Sequence, residues 1–507
     1  MKHMLGTYIS RLQANQLIEG ENLKLENLSD GMVEKLSYNS KEVAPNTLFV
    51  CKGAAFKEEY LDMAISGGAI AYVSETDYKK GIPVILVSNV QNALAVVSSL
   101  YYNAPDEKIK LIGITGTKGK STTAYYVKHI FDEYMTARKV GEIGIISSIE
   151  TYDGIIRKES HITTPESLDL YDHLNNAVEA GLEYVVSEIS SQALKYGRAY
   201  GLHIDTGVFL NISEDHISPI EHTDFEDYFS SKLKMFKLCR TACVNLESDF
   251  SYRVLTAAKD AERVVTFGYR EAADVYGYDV HKEGFDTVFR VRTEAFDREF
   301  RLTMPGLFNV ENALAAIAVA ITNGVPQEYI YKGLEKARSS GRMEVYRSED
   351  LEKLVIVDYA HNKLSFEKLY ETARAEYPDR SIITVFGCPG KKALLRRRDL
   401  GLLAGQNSRY VYITAEDPGA ESLTDICNDI AQYVKQNTSN YAIIEDRAEA
   451  IAAAVNAPLG KVVILITGKG NETTQKIGKE YIPYPTDVEC AKKYLGEYDR
   501  RKNSLAH

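Results

Sequence analysis

Residues 113–123 read GITGTKGKSTT. Gly116, Thr117, Lys118, Gly119, Lys120, Ser121 and Thr122 assemble what a polyphosphate needs: small residues for close backbone approach, N–H groups opening a helix, an ammonium and a hydroxyl. A Walker A loop, G-x-x-x-x-G-K-[ST], would have a glycine where Ile114 stands, so the loop is a variant. The alternative is a glycine-rich turn that binds nothing. Glu188 in LEYVVSEIS ends a predicted strand, a place from which a carboxylate can reach Mg²⁺ held by phosphates and the Ser121 hydroxyl. His216 in NISEDH and Lys232 in FEDYFSSKLKMF could serve the same site; by residue type alone a structural histidine and a solvated lysine are the commoner outcomes. Asp358 and His361 in DYAHN cap one later strand and Gly468 and Glu472 in GKGNE cap another, with glycine allowing close backbone approach to a polar ligand. Glu416, Asp417 and Glu421 in AEDPGAE gather carboxylates at a further strand tip, which suits either a cation pocket or a solvated loop.

The elements that must carry these residues follow from the pattern around them. KIKLIGIT before the loop is a short apolar run and TTAYYVKHIFDEY after it has helical spacing, giving strand, glycine turn and helix in the required order. At 507 residues the chain suggests about three domains of roughly 100 to 200 residues. We read an N-terminal α/β unit over 1–107, a central loop-bearing unit over 108–338, and a last unit over 339–507. In the last, LVIVDYAHN, SIITVFGCPG, YVYITAEDPG, YAIIEDRAE and KVVILITGKGNE alternate with helical segments, the sequence form of a doubly wound parallel sheet. The fold class expected is therefore α/β throughout.

Sixty basic against 71 acidic residues leave a formal charge of −11, which argues against a nucleic-acid or anionic-membrane surface. KKALLRRRD at 391–399 is too isolated for such a surface, and reads as a solvated helix start or a local substrate contact. Six scattered cysteines without a C-x-x-C pair suggest reduced thiols. The first residues lack a signal-peptide core and no stretch of 18 unbroken apolar residues follows, so a cytoplasmic protein without membrane insertion is expected.

Taken in order, TGTKGKST, ITTPES, SEISSQAL, NISEDH, FNVENALAA, SGRMEVY, VDYAHN, EDRAEAI and GKGNE resemble the Mur ligases, of the MurE type that adds the third amino acid to a UDP-N-acetylmuramoyl dipeptide. The resemblance spans nearly the whole chain. It implies three domains, holding the UDP moiety, ATP and the incoming free amino acid in turn. It also implies two Mg²⁺ ions, one at Ser121 and Glu188, the other at His216 and a carbamylated Lys232. Lys120 would grip the transferred phosphate, Asn309 and Asn312 would lie near the adenine, Arg342 near the phosphates, and Asp358 and His361 near the ribose or phosphates. Thr163, Thr164, Ser190 and Arg198 match positions that hold the muramoyl peptide, and Ser40 and Lys41 match the uridine-binding stretch. Lys118 and Gln192 depart from the family's usual Asn and His, and two extra residues precede His222.

The same resemblance implies an acyl phosphate, formed when the substrate carboxylate attacks the γ-phosphate of ATP and consumed by the amine of the amino acid. Other ligases of the superfamily, or a catalytically idle nucleotide-binding scaffold, are the rival readings. A monomer is expected. Diaminopimelate-adding members carry D-N-P-R at the tip where this chain has Glu416-Asp417-Pro418-Gly419. Without the arginine, and with Glu421 and Glu472 in the same motifs, the pocket is expected to take L-lysine, then L-ornithine, ahead of meso-diaminopimelate.

Overall fold

The computed structural model describes residues 2–19, 31–53, 56–160, 162–214, 217, 221–284, 286–304, 306, 308–338, 341–391 and 394–505. It divides into two compact units, one of Met1–Asp279, Arg290–Phe300 and Glu311–Leu334, the other of Val280–Phe289, Arg301–Val310 and Glu335–His507. Among the described residues no helix is long and apolar enough to cross a membrane.

Besides the short pair His3–Met4 and Met32–Val33, the first unit contains a smaller and a larger sheet among the described residues. In the smaller one Lys35–Ser37, Thr47–Val50, Ala69–Ser74 and Val84–Leu86 run parallel in chain order. Alternate residues face opposite ways along a strand, and both faces are apolar here. Leu48, Val50, Ala71 and Val73 join Tyr8, Leu12, Leu94 and Val97 on one side, while Phe49 and Tyr72 join Leu61 and Ala64 on the other. Burial on both faces is what makes these strands read as continuous apolar runs.

The larger sheet places Lys110–Thr115 between Tyr184–Glu188 and Ile204–Phe209, all parallel. Gly144–Ile146 lies beyond Tyr184–Glu188 on one side, and Cys239–Asn245 then Arg263–Gly268 beyond Ile204–Phe209 on the other. The chain leaves its central strand in both directions, so the crevice at the carboxyl ends of Lys110–Thr115 and its neighbours is a switch point of the kind where ligands bind. Helix Lys120–Ala137 packs its buried Ala124, Val127, Ile130 and Phe131 inward.

In the second unit Glu344–Arg347 pairs antiparallel with Lys353–Asp358. From there Val462–Thr467, Ser381–Phe386, Tyr410–Ile413 and Tyr441–Ile443 follow in parallel. All five strands expected in this region are present. Val355, Val357, Ile383, Val385, Ile464 and Ile466 form a core with Ile451 and Ala454 of helix Arg447–Val455. Val462–Thr467, the latest of these strands in the sequence, inserts between two earlier ones, which gathers Asp358, Gly468 and the residues after Ile413 at one end of the sheet.

Candidate active site

The glycine-rich loop leaves strand Lys110–Thr115 and enters helix Lys120–Ala137 through Gly119, whose φ of +85° is left-handed. A Cβ there would also stand 2.3 Å from Asn312 Oδ1, so the position admits only glycine. Asn211, just past strand Ile204–Phe209, closes the loop: its Oδ1 accepts from Lys118 N at 2.9 Å, its Nδ2 donates to Lys118 O at 3.2 Å, and its carbonyl accepts from Thr117 N at 3.0 Å. Thr117 Oγ1 accepts from Ser213 N at 3.1 Å and from the Tyr228 hydroxyl at 3.1 Å. With the loop so held, Lys120 Nζ folds onto the carbonyls of Gly116 (3.0 Å) and Thr117 (3.2 Å). Ser121 and Thr122 occupy the helix's first turn, beside the N–H groups that have no intrahelical partner.

Glu188 pairs in register with Ile114, so its side chain reaches the start of the loop. It is buried, and its Oε1 accepts from Ser148 N at 2.8 Å and Ser148 Oγ at 3.3 Å. Ser148 Oγ in turn shares a hydrogen bond of 2.9 Å with Ser121 Oγ. Glu188 Oε2 has no hydrogen-bond partner among the described residues. A buried carboxylate oxygen without a donor is costly unless a cation meets it, and with the linked Ser121 hydroxyl it fits a hard divalent ion such as Mg²⁺.

Lys232 is not a solvated lysine. Only 1% exposed, it donates from Nζ to Gly116 O at 2.8 Å and lies 4.6 Å from the Tyr228 ring centre. Loop and lysine therefore share a carbonyl. His216 lies outside the described residues, and no three His, Cys, Asp or Glu side chains gather as a metal site among those described. His222 is buried, with Nε2 3.0 Å from Ser191 Oγ, and burial lowers its pKa below the ordinary imidazole value.

The residues expected around the muramoyl peptide meet at the main chain of Glu188. Thr164 Oγ1 donates to Glu188 O at 2.8 Å and accepts from Ser190 N at 2.9 Å. Ser190 caps helix Ser191–Lys195 by accepting from Ala193 N at 3.1 Å. Arg198 donates to Thr164 O at 3.3 Å and pairs with Glu166 at 3.0 Å, and Thr163 is partly buried beside them. Gln192, where the family usually has His, donates to Glu221 at 2.9 Å. Ser40 and Lys41 stand in the single 3₁₀ turn Ser40–Glu42, with Lys41 exposed.

In the second unit Asp358 accepts from Met343 N at 2.9 Å and Ala360 N at 2.8 Å, and desolvation raises its pKa. Arg342 lies 4.9 Å from the Tyr359 ring centre. His361 Nδ1 is 2.8 Å from the Tyr359 carbonyl, which can only accept, so Nδ1 carries the proton. Burial, with Arg396 and Arg342 nearby, pushes its pKa down to about 4, leaving a neutral ring with Nε2 as acceptor. Asn309 and Asn312 are both buried in helix Phe308–Thr322.

The expected amino-acid pocket is more occupied than its sequence suggests. Lys469, fully buried, donates to Asp417 Oδ1 at 2.9 Å and Glu472 Oε2 at 2.6 Å, so two of the pocket's acids already hold a cation. Glu421 is taken as well, gripped by both terminal nitrogens of Arg397 at 2.8 Å, which holds its pKa down at about 2. That removes Glu421 from the pocket, and corrects the solvated reading of KKALLRRRD for buried Arg397. Lys392 of that run lies outside the described residues. Glu416 remains, buried, its pKa pushed up to about 7 chiefly by desolvation. Gly419 has φ +56°; its N–H donates to Lys476 O at 3.0 Å and its carbonyl accepts from Gly478 N at 2.7 Å, tying the tip to hairpin Thr474–Ile477 and Glu480–Pro483.

Sequence reasoning missed the residues that hold the site rather than face it. Arg447, fully buried, makes two 2.7 Å bonds to Asp487 and donates to Ala415 O and Thr467 O, fastening the tips of two strands. Asn211, Ser148 and Lys469 do similar work. Asn211 and Lys469 lay inside quoted motifs, whereas Ser148, just after strand Gly144–Ile146, lay in none of them.

The Mur ligase middle domain matches residues 114–320, and the Mur ligase glutamate ligase domain matches residues 341–470. The chain is 38% identical to the UDP-N-acetylmuramoyl-L-alanyl-D-glutamate--L-lysine ligase of Streptococcus mutans, over 91% of this chain and 92% of that one. It is 37% identical to the enzyme of the same name from Enterococcus faecalis, over 94% and 95%. Among solved structures, a UDP-N-acetylmuramoyl-L-alanyl-D-glutamate--2,6-diaminopimelate ligase covers 92% of this chain and 95% of its own with a TM-score of 0.66 at 22% identity. MurF of Thermotoga maritima in complex with ADP gives a TM-score of 0.55 at 18% identity, over 92% and 98%. Loop, Glu188 and strand tips thus stand in a chain that belongs to the Mur ligase family.

Proposed function

We propose that this protein is an ATP-dependent ligase that joins L-lysine to UDP-N-acetylmuramoyl-L-alanyl-D-glutamate in the cytoplasm, as a monomer, during synthesis of peptidoglycan precursor. Domains 1–107, 108–338 and 339–507 would hold the nucleotide dipeptide, ATP and the amino acid respectively. The carrying observation is the phosphate loop beside Glu188, whose buried Oε2 lacks a partner among the described residues.

Lys120 and the N–H groups of Gly119 to Ser121 would bind the β- and γ-phosphates, offsetting charge as the substrate carboxylate approaches. Ser121 and Glu188 fit one Mg²⁺, and Lys232 as its carbamate, with His216, would hold a second; bound magnesium supplies electrostatic stabilisation of the phosphoryl group. Asn309 and Asn312 would meet the adenine, Arg342 the phosphates, and Asp358 and His361 the ribose or phosphates. Thr163, Thr164, Ser190 and Arg198 would orient the muramoyl peptide, with Ser40 and Lys41 toward the uridine. Glu416, with Asp417 and Glu472 around Lys469, would receive the lysine ammonium near Gly468 and Gly419, and the relatives' names support that choice. Phosphate release should require ATP, the nucleotide dipeptide and L-lysine together. A higher kcat/KM for meso-diaminopimelate than for L-lysine on the same preparation would overturn the amino-acid assignment.

A further inference from the structure

Lys52 follows strand Thr47–Val50, at the carboxyl end of the N-terminal parallel sheet. Its ammonium contacts Glu166 Oε2 and lies 4.5 Å from the Tyr38 ring centre. Glu166 Oε1 is 3.0 Å from Arg198 Nε, so one carboxylate bridges two cations, one following strand Thr47–Val50 and the other in the turn after helix Ser191–Lys195. Tyr38 is fixed from its other end, donating its hydroxyl to exposed Asp169 at 2.6 Å.

The three charged side chains are withdrawn from water, with 11% of Lys52, 16% of Arg198 and 22% of Glu166 exposed. Among the described residues two cations contact a single carboxylate, and the next acid, Asp169, is held off at the far end of Tyr38, so positive charge is locally in excess in a chain whose net charge is −11. Desolvating such a surplus is unfavourable unless an anion completes it. Lys52 also retains donors beyond the one used on Glu166. We propose that Lys52 is a further substrate-binding residue, forming with Arg198 a pair that holds a carboxylate or phosphate of the nucleotide dipeptide; this rests on the functional reading given above. Glu166 is then the resident anion that keeps the pair poised and shares it with the substrate.

Titration calorimetry on the full chain, with UDP-N-acetylmuramoyl-L-alanyl-D-glutamate and separately with UDP, tests this. Lys52→Ala should weaken dipeptide binding about tenfold or more, Lys52→Arg should recover most of it, and binding of an ATP analogue should stay as in wild type. A parallel loss for UDP identifies the diphosphate as the anion; a loss confined to the full dipeptide identifies the peptide carboxylate. Glu166→Gln should bind at least as tightly as wild type, because it removes the competing anion. Wild-type affinity in Lys52→Ala, or a loss in Glu166→Gln equal to that in Lys52→Ala, would overturn the proposal and make Lys52 a strut. Absence of dipeptide binding by the wild-type chain would overturn the functional reading and Lys52's role together.

Discussion

At the scale of single residues, the chemistry turns on groups whose charge their surroundings have altered. Lys232 is buried against a carbonyl and an aromatic ring, and the metal-binding role proposed for it requires an anion there, which carbon dioxide adding to its amine would supply. Lys232→Ala is expected to lose activity on the order of 100-fold, the scale of disturbing a metal site, and to regain part of it with acetate or formate. A carbamate resonance in ¹³C-bicarbonate-treated wild type, absent from the variant, is the independent check. Glu416 presents a titration instead. Its pKa of about 7 means that a proton leaves as pH rises through neutrality, so KM for L-lysine should fall between about pH 6 and 8. Glu416→Gln should abolish that fall while keeping any dependence due to the amine nucleophile. For stability the sign is opposite: the folded state holds this proton more tightly than the unfolded chain, whose value is near 4.5, so the group's contribution declines as pH climbs from about 4.5 to 7.

At the scale of elements, strand tips acquire their function from what clamps them. Gly419 is bound on both its N–H and its carbonyl by the hairpin after Gly470, in a backbone conformation that L side chains rarely adopt. Its missing Cβ would meet nothing closer than Gly478 O at 4.0 Å, so the penalty for adding one is in the backbone. Gly419→Ala should cost about 1 kcal/mol of stability from φ alone. Gly419→Arg should cost a similar amount and in addition raise KM for L-lysine severalfold, since it brings a guanidinium beside Glu416 and Asp417. Thermal unfolding and lysine kinetics on the two variants separate strain from charge. Equal KM values for the pair would remove the electrostatic account of amino-acid choice. Arg447 and Asp487 explain why the neighbouring tips stay in place, since a fully buried pair whose guanidinium also holds the carbonyls of Ala415 and Thr467 tolerates little movement.

At the scale of the whole molecule, stability owes nothing to covalent cross-links. All six cysteines are free and buried. Burial raises each thiol pKa, to about 12 for Cys51, Cys239, Cys243 and Cys427, and it raises those of Cys388 and Cys490 too. Because thiolate is the reactive form, a thiol reagent should modify none of the six in the native protein at neutral pH and all six once the chain unfolds. The melting temperature should be the same with and without reductant. Rapid labelling of any one thiol without unfolding would show a local opening at that cysteine.

Much of this was legible because it is local. The phosphate loop, the apolar strands and the polar residues at their tips are written within a dozen residues, where backbone permissiveness, hydrophobic period and residue type act directly. By itself the sequence determined the α/β class, the loop with Lys120 and Ser121, and Glu188 at a strand end. Strand order decided the rest. Only once Ile204–Phe209 lies beside Lys110–Thr115 does Asn211 close the loop, and only the adjacency of Gly144–Ile146 to Tyr184–Glu188 brings Ser148 between Glu188 and Ser121. The amino-acid pocket shows the limit most plainly. Its acids were visible as a cluster of charge, but charge in a buried site depends on what is folded against it. Lys469 reaches across from its own strand tip to Asp417 as well as to its neighbour Glu472, Arg397 comes from a helix to hold Glu421, and Glu416 is left without a direct ionic partner among the described residues.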